Sequence, residues 1–273
     1  MSQLQILVLA LIQGITEYLP ISSSGHSILV PAFTGWQDQG VLTDAITNLG
    51  TVAATIIYFY REVLMMLQGL VDFVMRRASV SANLFKQVVV GSIPIVLIGL
   101  VYDHFKLDET FRMPLLIAVN SILFGIVLYV ADIWSPSVKR ASDLNTRDSF
   151  IIGLFQCLAL NPGTSRSGIT MTGGRFLGYN RSDAAKLAFL IGIAANLGGS
   201  AKKLGDAFIH REHIGLDQIE AGVLTFFIGL GTVAFLMRYI RTHDFLPFVV
   251  YRVVLGAALL GLIYSGALNA WHV

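Results

Sequence analysis

Charge is scarce in this sequence: 19 Lys and Arg and 17 Asp and Glu stand among 273 residues, 13%, about half of the roughly 25% usual in a soluble domain. With 55% of the chain drawn from AVILMFWYC, a soluble molecule of this size has too few polar groups to cover its outside. The same composition excludes a disordered chain. Cysteine is nearly absent, and the single Cys157 permits no internal disulfide and leaves the redox compartment open. A formal charge of +2 supplies no basic field, so nucleic acid is excluded as a partner. Period-two alternation is missing from the apolar stretches, which argues against an outer-membrane barrel. What is there reads as an all-α polytopic membrane protein.

The apolar segments run over 3–33, 45–75, 88–102, 113–134, 150–160, 184–201, 221–240 and 245–265. A crossing needs about 20 residues. Segments 113–134, 221–240 and 245–265 meet that length, and 45–75 does so despite Arg61 and Glu62. Segments 88–102 and 150–160 are short, and read as re-entrant or broken helices, which survive at bilayer depth only where they line a polar cavity. The amino terminus lacks a basic n-region and an A-x-A-like site, so it is expected to be retained sequence. Arg61, Arg76, Arg77 and Lys86 outweigh Glu62 and Asp72, which makes 61–86 a cytoplasmic stretch by the positive-inside rule.

Sliding the chain by 143 places lays Gln13 on Gln156, Ser22 on Ser165, Ser24 on Ser167, Gly25 on Gly168 and Gly35 on Gly178. At a slightly larger offset, Asn48-Leu49-Gly50 meets Asn196-Leu197-Gly198. Chance matching of Gly- and Ser-rich helices is one explanation. The other is two repeats, 1–134 and 149–273, joined by the polar linker 135–148, with a site where their interruptions meet.

Between Ser2 and Gln37 the only charged side chain is Glu17, and between Ser149 and Gly174 the only one is Arg166. An ionisable group at bilayer depth is a functional-site hypothesis by default. A buried ion pair that merely holds the repeats together is the competing explanation. Against it stand the surrounding hydroxyls, the i,i+4 spacing of Gln13 and Glu17, and His26, which titrates near neutrality. Arg166 suits phosphate oxygens, and Gly- and Ser-rich turns after Pro20 and Pro162 present N–H groups at helix starts. Serine, acid, imidazole and arginine together are the parts of a phosphate-ester hydrolase.

Gln13–His26 (QGITEYLPISSSGH) and Leu160–Thr170 (LNPGTSRSGIT) resemble the two signatures of the undecaprenyl-diphosphatase family, also associated with bacitracin resistance, and FLPFVVYR at 245–252 is similar to it as well. The resemblance covers essentially the whole chain. It implies two inverted-topology repeats with about six spanning helices and two re-entrant helical hairpins, in a bacterial plasma membrane with the site facing outward. It also implies hydrolysis of undecaprenyl diphosphate to undecaprenyl phosphate and phosphate, returning the lipid carrier to peptidoglycan synthesis. A divalent cation, Mg2+ or Ca2+, would support activity. Gln13 stands where relatives more often carry Glu, so Glu17 is the one carboxylate left to hold such an ion. On this resemblance Ser23 is the expected nucleophile, Glu17 its base, His26 an acid/base partner and Arg166 the diphosphate clamp. Gln13, Ser22, Ser24, Ser165, Ser167 and Thr170 are expected to bind substrate. Attack by Ser22, Ser24, His26 or water remains open. The expected partners are a polyprenyl diphosphate lipid, membrane lipids and, as one assembly it allows, a second copy of the chain.

Three rival functions fit parts of the pattern. Broken helices meeting mid-membrane are also transporter architecture, so a polyprenyl-phosphate flippase is the alternative. An acid-lipid-phosphatase motif requires a His where Thr172 stands. An intramembrane serine protease has no use for Arg166. Among smaller features, Arg252 is expected to snorkel to the interface, ahead of contacting substrate, Asp44 to be a helix N-terminal charge, Cys157 to pack, and Trp36, Trp134 and Trp271 to anchor at interfaces.

Overall fold

A computed structural model describes residues 1–36, 40–105, 107, 111, 113–209 and 213–270, apart from the side chains of Ser24, Ile28 and Ala32. Eleven α-helices are seen among the described residues: α1 Gln3–Thr16, α2 Ser23–Thr34, α3 Gly40–Tyr58, α4 Tyr60–Val74, α5 Val80–His104, α6 Pro114–Trp134, α7 Thr146–Cys157, α8 Arg166–Phe176, α9 Arg181–Ile209, α10 Leu216–Tyr239 and α11 Leu246–Tyr264. Helix starts follow local chemistry. Ser2 and Gln5 form a capping box on α1, Ser79 and Asn145 cap α5 and α7, and proline opens α6 and α11.

Six helices, α3, α5, α6, α9, α10 and α11, are long and apolar enough to cross a membrane, which makes this a multi-pass membrane protein. One expectation is corrected here. Segment 88–102 is no broken helix: it is the later part of the 25-residue α5, about 37 Å long at 1.5 Å per residue. Counting apolar residues alone left out its half-polar first two turns. The 45–75 run divides at Phe59, where α3 gives way to α4. Asp44 lies in the second turn of α3, not at its start, 3.9 Å from Lys203. Cys157 is half-buried and bonds the Gly153 carbonyl. Trp134 is exposed at the end of α6; Trp271 lies outside the described residues.

Helices drawn from the two halves of the chain interlock. A Cβ on Gly50 of α3 would fall 2.4 Å from the Gly222 carbonyl of α10, and one on Gly153 of α7 would fall 2.2 Å from the Gly91 carbonyl of α5. Only glycine allows such backbone contact, the small-residue packing usual between membrane helices. Helix α1 lies parallel to α10: the Met1 amine meets Asp217 at 2.9 Å, and Gly14 packs on Ile228 and Gly229. Tyr18, just past α1, sits edge-on to Phe189 of α9 at 5.4 Å and reaches the Thr51 carbonyl of α3.

The polar segment 135–148 is pinned to the end of α8. Arg175 is buried and bonds Asp132 Oδ1 at 3.1 Å, the Tyr179 carbonyl and Ser137; Arg181 meets the same Asp132 oxygen at 2.7 Å. Asp148 accepts from Lys139 and from the Tyr179 hydroxyl, each at 2.8 Å. Burial, then the Asp148 carboxylate, pushes the Tyr179 phenol well up, so it remains a donor. Residues 134, 146, 176 and 181 are thereby gathered at one end of the molecule.

Candidate active site

Two turns carry the site, one between α1 and α2, the other between α7 and α8. Each closes on a serine in a conformation L-residues avoid, Ser22 at φ 76° and Ser165 at φ 69°. Such strain costs on the order of 1–3 kcal/mol and persists only where surroundings enforce it. Both hydroxyls cap the helix that follows, accepting from the N–H of Gly25 at 3.3 Å and Gly168 at 3.2 Å. Matched geometry at Ser22 and Ser165 gives the two sequence motifs one local fold.

Glu17 caps α1, its own N–H bonded to the Gln13 carbonyl. Four side chains converge on its carboxylate. Gln13 donates to Oε2 at 3.1 Å and Ser23 at 2.9 Å; Asn196 donates to Oε1 at 3.3 Å, and the Arg166 guanidinium forms an ion pair there. Arg166 is the first residue of α8, so the second turn delivers a cation to the acid of the first. Glu17 is 9% exposed and Arg166 27%, so the acid is sealed while the base still reaches outward. A cavity of about 20 Å³ touches both, with Asn196 and Gly192 on its wall, room for about one water.

The remaining expected residues divide. Ser167 is buried and bonds both Ser165 and the Leu19 carbonyl at 3.2 Å, tying turn to turn. Thr170 donates to the Arg166 carbonyl within its own helix. The side chain of Ser24 lies outside the described residues. His26 lines a different space, an apolar cleft of about 390 Å³ with Leu11, Ile15, Leu19, Phe248 and Tyr251. Its Nδ1 is 2.6 Å from the Ser22 carbonyl, which only accepts, so Nδ1 donates there; Nε2 is hydrogen-bonded to the Tyr251 hydroxyl at 2.6 Å. The rings stack 5.7 Å apart.

Three residues at the site were missed by sequence reasoning. Asn196 holds Glu17, and its signal was the repeated Asn-Leu-Gly triplet. Tyr251 holds His26. Arg252, expected to snorkel, is fully buried and bonds backbone carbonyls of both turns; its signal was only its place in the 245–252 stretch.

Among the described residues no group of three or more His, Cys, Asp or Glu converges to hold a metal ion. The one carboxylate here is already engaged by Arg166, and Gln13 turns an amide donor toward it. This donor set does not fit a divalent cation held by the protein alone.

Comparison with known proteins gives one consistent result. The sequence model of the family described as bacitracin resistance protein BacA matches residues 6–258. An undecaprenyl-diphosphatase of Ruegeria sp. (strain TM1040) is 43% identical over 268 residues, 97% of this chain and 100% of the relative. The undecaprenyl-diphosphatase of Ruegeria pomeroyi is 40% identical over 97% of this chain and 100% of its own length. That of Thermobifida fusca is 40% identical over 98% and 93%.

Proposed function

The chain belongs to the bacitracin resistance protein BacA family, and from that premise we propose that it hydrolyses undecaprenyl diphosphate to undecaprenyl phosphate and phosphate in a bacterial plasma membrane. The observation that carries the reading is the Glu17–Ser23–Arg166 constellation: a hydroxyl on a carboxylate, 2.9 Å away, beside a guanidinium at a helix start.

Ser23 Oγ attacks the terminal phosphorus while Glu17 takes its proton. The P–O bond to the inner phosphate breaks, releasing undecaprenyl phosphate and leaving phosphoserine. Glu17 passes that proton to the departing phosphate oxygen, then deprotonates the water that attacks the phosphoserine, and returns the proton to Ser23 Oγ as the P–O bond to serine breaks and phosphate leaves. Arg166 transfers from Glu17 to the phosphoryl oxygens, since a diphosphate does not fit the small cavity while the ion pair is closed. The N–H groups opening α2 and α8 add an anion cradle. General-base and electrostatic assistance of this kind each contribute about 10²–10⁴-fold.

Helix lengths support re-entrant hairpins: α1, α2, α7 and α8 have 14, 12, 12 and 11 residues, too few for the ~30 Å hydrocarbon core. The α1 start lies beside the α10 start, and the α7 and α8 outer ends lie with the α6 end and the α9 start. Two hairpins entering from opposite faces, in two inverted repeats of 1–134 and 149–273, account for both. The face holding Arg76, Arg77, Lys86, Lys139, Arg140 and Arg147 is then cytoplasmic by the positive-inside rule, and the site opens to the other side.

The test is phosphate release by the purified protein from a polyprenyl diphosphate. Wild type should turn over, and Ser23→Ala should fall by about 10³-fold. A wild-type preparation that releases no phosphate overturns the function, whereas near-normal Ser23→Ala overturns only the covalent route.

A further inference from the structure

We propose that Arg252 is a positioning residue for phosphoryl transfer, fixing the separation of the two turns; this rests on the diphosphatase reading. Its guanidinium, fully buried on α11, donates to five backbone carbonyls. Nη1 reaches Pro20 of the first turn at 3.3 Å. Nη2 reaches Gly163 and Thr164 of the second turn, each at 2.9 Å, and Asn120 of α6 at 3.2 Å, while Nε reaches Ser121 at 3.1 Å. Arg166 and Arg175 each meet a carboxylate; among the described residues none pairs with Arg252.

A turn that ends one helix and starts another leaves carbonyls with no partner in either, and a buried unpaired carbonyl is costly. Arg252 answers both turns with one rigid group. Five donors in a planar fork reach three segments at once, whereas a lysine offers three donors on one atom. The contact is tight: a Cβ on Gly168, in the first turn of α8, would lie 3.2 Å from Nη1. The turns bear Glu17 and Ser23 on one side and Arg166 on the other. Their spacing therefore sets how nucleophile and clamp meet the phosphorus, although Arg252 itself touches no substrate.

The test compares Arg252→Lys with wild type in detergent, measuring phosphate release, thermal melting and the same substitution in an Arg166→Ala background. Loss of the fork should lower kcat per folded molecule by about 100-fold, the effect of a displacement near 1 Å, with KM within about 3-fold. In the Arg166→Ala background the further loss should be under about 3-fold, because the alignment being guarded is already gone. Wild-type kcat per folded molecule in Arg252→Lys overturns the proposal, as does the same fold-loss in both backgrounds. If Arg252→Lys does not fold, Asn120→Ala serves, since it deletes a 2.8 Å bond to the Pro162 carbonyl of the same turn. It should lower kcat about 10-fold at constant KM, and an unchanged kcat counts against the proposal. Inactive wild type overturns the diphosphatase reading instead.

Discussion

Replacing Arg166 by Ala asks how much of the Glu17–Arg166 pair is architecture and how much chemistry. The substitution leaves Glu17, 9% exposed, with Gln13, Ser23 and Asn196 as neutral donors and no counter-charge. Stranding a buried charge in this way costs about 3–5 kcal/mol. Glu17→Gln leaves the more exposed Arg166 able to reach water, so its cost is nearer the ~1.5–3 kcal/mol of a hydrogen bond to a charged group. The double variant contains neither charge and should be more stable than the sum of the singles implies, with a coupling of about 1–3 kcal/mol. Turnover behaves differently. Each single variant should lose about 10³-fold, and the double should be no worse than the poorer single. Melting in detergent and phosphate release on the same preparations measure both. If Glu17→Gln melts lower than Arg166→Ala, the assignment of buried and wet partners is wrong. If the double variant regains turnover, the pair is structural and the proposed chemistry fails.

Gln13→Glu places a second carboxylate against Glu17, and should tighten binding of Mg2+ or Ca2+ to the purified protein by about 10-fold, two carboxylates being the better hard-cation site; a calorimetric titration of both proteins measures it, and identical curves deny Gln13 any influence on metal. His26→Gln and Tyr251→Phe break the same 2.6 Å bond, so turnover should fall alike, by about 10-fold. A dead His26→Gln beside a healthy Tyr251→Phe would assign the imidazole directly to the phosphoryl group. Gly50→Ala drives a methyl to 2.4 Å from the Gly222 carbonyl and should destabilise by about 1–3 kcal/mol, with kcat of the folded fraction preserved; a wild-type melting temperature would mean that α3 and α10 pack less closely.

Much of the site was legible because the bilayer makes charge conspicuous. Glu17 and Arg166 stood alone in their segments, and the structure joins them. Neutral groups carry a fainter flag: Asn196 was marked only by the repeated Asn-Leu-Gly triplet, and what distinguishes it is the carboxylate it meets from another helix. His26 shows the limit of proximity in sequence. Three residues from Ser23, it was grouped with the hydroxyls, yet its ring is held by Tyr251, 225 residues away, on the wall of another cleft. Arg252 was misread because an arginine near the end of an apolar run has two ways to be satisfied, water or carbonyls, and only the tertiary arrangement of turns decides. Helix α5 was misread because length in a membrane is set by hydrogen-bonded backbone, which continues through residues too polar to enter an apolar count.

Arg252 also has a bearing on the order of events during synthesis. The ribosome delivers Glu17 well before Arg166, and the carbonyls of Pro20, Gly163 and Thr164 wait for a side chain made later still. Helix α1 waits likewise for α10. Until α11 is in place, both turns lack their common support, and Glu17, Ser23 and Arg166 have no reason to hold their spacing. A chain cut short before residue 252 would carry every residue of both signature motifs and still lack the means to align them. On the proposed reading, activity is thus withheld from a nascent chain until α11 has been made and packed.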